Sequence, residues 1–143
     1  MKGSHTSLPA MDARLDAALP ACDDSLLLRG AVELAAMIAA KDISAREVVG
    51  AFVQRIQAVN GQLQAVCVPL FEQAHAAAKA ADEAQARGDS LGPLHGVPIT
   101  IKECFHVAGT ASTMGLTALG DKLETADGPL VAKLKAAGAI ILW

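Results

Sequence analysis

Apolar residues recur with a helical period through the first half of the chain and with a strand period in short stretches beyond it. From Ser25 onward the pattern is helical, and Val32 to Ala40 is built of good helix formers that end near Lys41 and Asp42. Ser44-Ala-Arg-Glu47 is a capping box, in which a serine hydroxyl and a glutamate each satisfy a free amide. The helix it opens sets Val48, Val49, Phe52, Val53, Ile56 and Val59 on one stripe, and Asn60-Gly61 is expected to stop it. Gln64 to Val68, a β-branched run before Pro69, is predicted as a strand. Leu70 to Arg87 is an Ala-rich helix closed by Gly88, with Lys79 to Glu83 and Glu83 to Arg87 spaced to pair on its solvent side.

The pattern then changes at Leu91 to Glu103, where a loop with two glycines and a proline runs into a short apolar strand, from about Gly96 to Lys102. Alternation puts Val97, Ile99 and Ile101 on one face and Pro98, Thr100 and Lys102 on the other. Glu103 to Gly128 has no clear period, and its Gly109, Gly115, Gly120 and small residues predict irregular backbone. Asp127 is placed as an N-cap with Pro129 in the first turn of a helix. Leu130, Val131, Leu134 and Ala137 form the apolar face of that helix, and Gly138 is its C-cap. Ala139 to Leu142 is a final apolar strand. Strand, helix and strand with short connections imply a parallel pair and an α/β domain.

Composition narrows the class. The 143 residues suffice for one domain with a core, and 52% of them are hydrophobic but only 3% aromatic, so that core is made of Ala, Leu, Val and Ile. Twelve Lys and Arg against fifteen Asp and Glu leave a net charge of -3, which does not recommend nucleic acid as a partner. Cys22, Cys67 and Cys104 are isolated, which argues against a disulfide framework or a zinc site and makes a reducing cytoplasm the default. No apolar run precedes Pro20 and Leu26 to Ala40 is interrupted by charge, so neither a secretory signal nor a membrane span is expected.

Lys102 is the chemical candidate. An ordinary lysine ending a strand would pass its ammonium to solvent along an apolar stem. Here it shares a face with Thr100, and parallel strands are usually covered on both faces. A lysine so desolvated would have a lowered pKa and could take a proton from a serine. His95 and His106 flank the strand without a third group to orient either, and Cys104 has no evident base. The glycines between 109 and 120 form no phosphate loop, and Asp23, Asp24, Asp121 and Glu124 read as solvated loop charges.

Residues 92 to 103, Gly-Pro-Leu-His-Gly-Val-Pro-Ile-Thr-Ile-Lys-Glu, resemble the lysine segment of the amidase signature family. Residues 127 to 142 are similar to the helix and strand that follow it in those enzymes, and the helix opened at Ser44 fits their amino-terminal region. The resemblance spans about Ser25 to Leu142. It implies hydrolysis of carboxamides by a Ser–cis-Ser–Lys triad, with Lys102 as base and no cofactor or metal. The two serines of that pattern belong to a Gly/Ser-rich stretch following the strand at 139 to 142. Ser112 and Thr113, in the intervening loop, match neither.

The expected architecture is therefore α/β: amino-terminal helices followed by part of a mixed, largely parallel sheet with flanking helices, an incomplete amidase-signature fold. Residues 1–24 are expected to be a loosely held arm, and residues 25–143 the amino-terminal part of an amidase domain, cut short within one residue of its last strand. The expected partner is a small-molecule amide in the cytoplasm. A competing reading makes the chain a non-catalytic remnant or interaction module whose exposed sheet edge pairs with another chain.

Overall fold

In a computed structural model, residues 24–89 and 91–143 are described. The expected arm over 1–24, with Cys22 and Asp23, lies almost wholly outside them. Four helices come first: α1 (Asp24–Leu27), α2 (Ala31–Ala40), α3 (Ala45–Leu63) and α4 (Phe71–Arg87). Strand β1 (Pro98–Ile99), a 3-10 turn (Thr117–Leu119), α5 (Pro129–Ala136) and β2 (Ile140–Ile141) complete the chain.

The capping box at Ser44 forms as the sequence implies. The Glu47 amide donates to Ser44 Oγ at 3.2 Å, and the Ser44 amide donates to Glu47 Oε2 at 2.9 Å. A second anion, unannounced by the local sequence, reinforces it: Asp82 of α4 accepts the Ala45 amide at 2.7 Å and Arg46 Nε at 2.9 Å. Both carboxylates meet the positive end of the α3 dipole, so α3 and α4 are locked together at that end. Farther along, Val48, Val49 and Val53 are buried, with Phe52 and Ile56 packed beside them.

Helix α3 does not stop at Asn60-Gly61 but runs to Leu63, and Gln64 closes it with φ 48°. Nor is 64–68 a strand. Asn60 Nδ2 donates to the Val66 carbonyl at 2.8 Å and Asn60 Oδ1 accepts the Val66 amide at 2.8 Å, so Val66 has its backbone partners without a ladder. Cys67 and Val68 are exposed, leaving the segment no buried face to pair. Arg87 departs from the expected spacing as well, pairing with Asp89 at 2.8 Å instead of Glu83.

β1 and β2 pair in parallel, Pro98 opposite Ile140 and Ile99 opposite Ile141. The regular strand is shorter than the 96–102 expected, although its hydrogen bonds continue. Ile140 donates to Val97 and Leu142 to Ile99, each at 2.8 Å, and Ile101 donates to Trp143 at 2.7 Å. Pro98 interrupts nothing here, because odd-numbered residues carry the ladder and its missing amide falls on the open side. Helices cover both faces of the pair. Ile140 and Leu142 join Val49, Val53, Ala74 and Ala78 of α3 and α4, while Ile101 and Ile141 join Val131 of α5. Val97 closes a third cluster with Leu34, Ile38 and Val48.

The α5 start differs by one residue from expectation. Gly128 is the N-cap, and the Asp127 carboxylate instead accepts the Ala108 amide at 2.9 Å and pairs with Lys135 at 2.8 Å. Ala137 is the C-cap, and Gly138 follows with φ 93°. Leu130 is 48% exposed and is not part of the buried face.

Candidate active site

The loop ahead of β1 explains how Lys102 is delivered. Gly92 lies against the α5 terminus so closely that a Cβ there would stand 2.3 Å from the Ala137 carbonyl oxygen. Leu94 donates to that same carbonyl at 2.8 Å, and Gly96 donates to Gly138 at 3.0 Å. Gly96 has φ 76°, and a Cβ on it would meet Ala45 at 2.8 Å. Both glycines are thus required by close approach, one to α5 and one to α3. The loop fastens β1 to β2 before the ladder begins.

Alternation persists past the regular strand: Ile101 is buried, whereas Thr100 and Lys102 are exposed. Lys102 emerges beyond the carboxyl ends of the parallel strands, the position at which open α/β sheets place their ligands. Its ammonium makes no ion pair or hydrogen bond among the described residues. The expected burial is not found. The cover over Thr100 and Lys102 that this expectation required is not supplied by the described residues: α3 packs on β1 and α4 on β2, and both side chains stay exposed. Lys102, Glu103, Phe105, Val107, Thr110, Ala111 and Trp143 line a cavity of about 20 Å³ beside Val68 and Leu70, room for about one water molecule.

Glu103 is the site residue that sequence reasoning missed. Its carboxylate accepts the Thr113 amide and, at 3.0 Å, the Met114 amide. The Thr113 hydrogen bonds hold its pKa below the ordinary 4.5, against a smaller upward effect of burial, and the Met114 amide adds a still smaller downward one. Beside these bonds Met114 sits at φ 50°, and Ser112 Oγ is buried and unpartnered among the described residues. A non-glycine residue in that region costs about 1–2 kcal/mol, and an orphaned hydroxyl about 1–3 kcal/mol. No spacing rule marks Glu103, since its partners lie ten and eleven residues away.

The flanking candidates separate. His95 Nε2 lies 3.1 Å from the Ala81 carbonyl, tying the loop to α4, so it is a structural histidine. His106 Nδ1 lies 3.3 Å from Glu124 Oε2, an ion pair when the ring is protonated; Glu124 is therefore not merely a solvated loop charge. Cys104 is a free, partly exposed thiol. No group of three or more His, Cys, Asp or Glu that could hold a metal is found among the described residues, nor is any of their helices long and apolar enough to cross a membrane.

Comparison with known proteins gives the family. The amidase family profile matches residues 47–142. The chain is 47% identical over 112 residues to an indoleacetamide hydrolase of Bradyrhizobium diazoefficiens, covering 78% of this chain and 21% of that one. It is 40% identical over 131 residues to a fatty-acid amide hydrolase 2-A of Danio rerio, covering 87% and 25%. The native peptide amidase structure from Stenotrophomonas maltophilia superposes with a TM-score of 0.76 at 29% identity, over 82% of this chain and 24% of that one. The chain thus spans about a quarter of the length of the curated relatives it matches. Its mostly helical α/β fold with a small parallel sheet is that of their amino-terminal part, and the chain belongs to the amidase family, among the amidase-signature proteins.

Proposed function

We propose that this chain supplies the base of a carboxamide hydrolase and that Lys102 is that base. Family membership supports amide hydrolysis in general; the observation that carries the finer reading is an unpaired ammonium at the carboxyl end of the parallel pair, beside Thr100 and a small cavity. On this reading Lys102 takes a proton through a bridging serine, and a second serine attacks the amide carbonyl carbon. The proton is then returned to the departing amine, and water releases the acyl group. A base without a nucleophile forms no acyl-enzyme, so residues 1–143 alone are proposed to be without turnover.

Two measurements test this. The 143-residue chain should neither hydrolyse a simple carboxamide nor be labelled by a fluorophosphonate; labelling accompanied by turnover would overturn the inactivity. In a longer polypeptide carrying a Gly/Ser-rich segment after β2, Lys102→Ala should lower kcat by about 10²–10⁴-fold, the usual contribution of a general base. An unchanged kcat would remove Lys102 from the mechanism.

A second reading rests on the open side of β1, where the backbone amide and carbonyl of Thr100 have no partner among the described residues. Such an edge is a template for another strand, and a second copy of the chain would supply one. Concentration-dependent association in sedimentation is the expected result, and a monomer at all concentrations would exclude it.

A further inference from the structure

We propose that Glu103 is the positioning residue of the Lys102 site, held by the amides of Thr113 and Met114 so that its carboxylate is kept off the neighbouring ammonium. The proposal rests on the reading of Lys102 as a base and adds what keeps that base unpaired. A lysine followed directly by a glutamate has an anion within reach, and an ammonium in an ion pair is held in its charged form. A base so trapped is of little use.

The geometry removes the anion. The Phe105 amide donates to the Lys102 carbonyl at 2.9 Å, which closes a turn with Glu103 inside it. The two carboxylate oxygens of Glu103 are taken separately, Oε1 by Thr113 and Oε2 by Met114. No ion pair joins Glu103 to any lysine among the described residues. Within 112–116 the other hydrogen bonds among the described residues are local: Gly115 donates to Thr113 Oγ1 at 3.1 Å, Leu116 to the Thr113 carbonyl at 2.9 Å, and Leu119 to the Leu116 carbonyl at 3.0 Å. Glu103 is therefore the tie between this stretch and the Lys102 segment. The stretch holds a left-handed Met114 and an orphaned Ser112 hydroxyl, costs that an ordinary surface loop would shed by relaxing. Thr110 and Ala111 of the same loop line the cavity with Lys102, so the tie also sets that wall.

The test uses the 143-residue chain and no turnover, so it can fail or succeed independently of the amidase mechanism. Lysines are acylated with a water-soluble active ester and their rates read one by one by peptide mass mapping. Thr113→Pro deletes one amide donor while leaving the Glu103 charge; the released carboxylate should pair with Lys102 and slow its acylation by about threefold, the scale of an exposed ion pair. Lys133 should keep its rate. Glu103→Gln alone should leave Lys102 at or above its original rate, and adding it to Thr113→Pro should restore that rate. A merely structural loop would show no such restoration. An unchanged Lys102 rate in Thr113→Pro, or a double variant as slow as the single, overturns the proposal. Should the proline variant not fold, the unsubstituted chain decides: the Thr113 and Met114 amide shifts should titrate together with a midpoint below 4.5, and a midpoint at or above that value would overturn it.

Discussion

The Ala137 carbonyl receives the Leu94 amide at 2.8 Å, while a Cβ on Gly92 would stand 2.3 Å from the same oxygen. One backbone group at the end of α5 thus anchors the loop that leads into β1 and excludes any side chain from the second residue of that loop. Gly92→Ala must push backbone against backbone, and about 3 kcal/mol of stability should be lost, the upper part of the usual range for overpacking. Urea unfolding measures it. Gly50→Ala is the matched control: it lies inside α3 with nothing within 4 Å of its Cβ, so stability should rise by about 0.5–1 kcal/mol. A Gly92→Ala chain as stable as the original would mean that the loop does not sit on α5.

Asp82 carries the cross-helix cap. Asp82→Ala orphans the Ala45 amide and should cost about 1–2 kcal/mol, as removal of a helix cap does. Asp82→Asn keeps one oxygen for that amide and should cost less. Arg46→Ala should cost under about 1 kcal/mol, since the guanidinium is 62% exposed. Thermal unfolding of the three variants gives the ranking, and a reversal of Ala45 and Arg46 contributions would sink the assignment.

Acid should destabilise the fold through identifiable carboxylates. Ser44, by its hydroxyl and then its amide, holds Glu47 below 4.5, and Thr113 and Met114 do the same for Glu103. For Asp127 burial is the largest influence and acts upward, but the Lys135 hydrogen bond, the Ala108 amide and the Lys135 charge together outweigh it and hold the group below 3.8. A carboxylate with a lowered folded pKa adds stability that is complete above its unfolded value and disappears as pH falls through the folded one. The urea midpoint should therefore be flat from neutrality to about pH 5 and fall below about pH 4.5. Glu47→Gln should shallow that fall; an acid limb unchanged by it would exclude the capping box as a contributor.

Ser112→Ala should leave stability unchanged or raise it by about 1 kcal/mol, because a buried hydroxyl without a partner is a cost. A loss exceeding about 1 kcal/mol would show that the hydroxyl is bonded in solution.

Lys102→Ala should shift stability by no more than about 0.5 kcal/mol, since the side chain is exposed and unpaired. A large loss would give the lysine a structural role instead of a chemical one.

Several features follow from neighbouring residues alone, and these were legible in the chain. The capping box needs only Ser44 and Glu47 three apart, the α3 stripe only its period, and the β1 alternation only the order from Val97 to Lys102. The parallel pair followed from strand, helix and strand in succession. What sequence could not show depends on groups that meet only after folding. Asn60 looked like a helix stop, yet by binding Val66 it removed the need for a strand. Asp127 looked like an N-cap, yet Ala108 and Lys135 claimed its carboxylate. Glu103 found its amides ten residues on, and Asp82 reached α3 from another helix.

The same division holds at the site. That Lys102 ends an apolar run and faces away from Ile101 was determined by the period of a strand, a local geometric fact. Whether it would be buried depended on how far the neighbouring elements reach, a matter of tertiary packing: α3 packs on β1 and α4 on β2, and among the described residues Thr100 and Lys102 stay exposed. Sequence by itself determined where the lysine points; the tertiary structure decided what surrounds it, because burial and charge pairing are properties of distance in space and not along the chain.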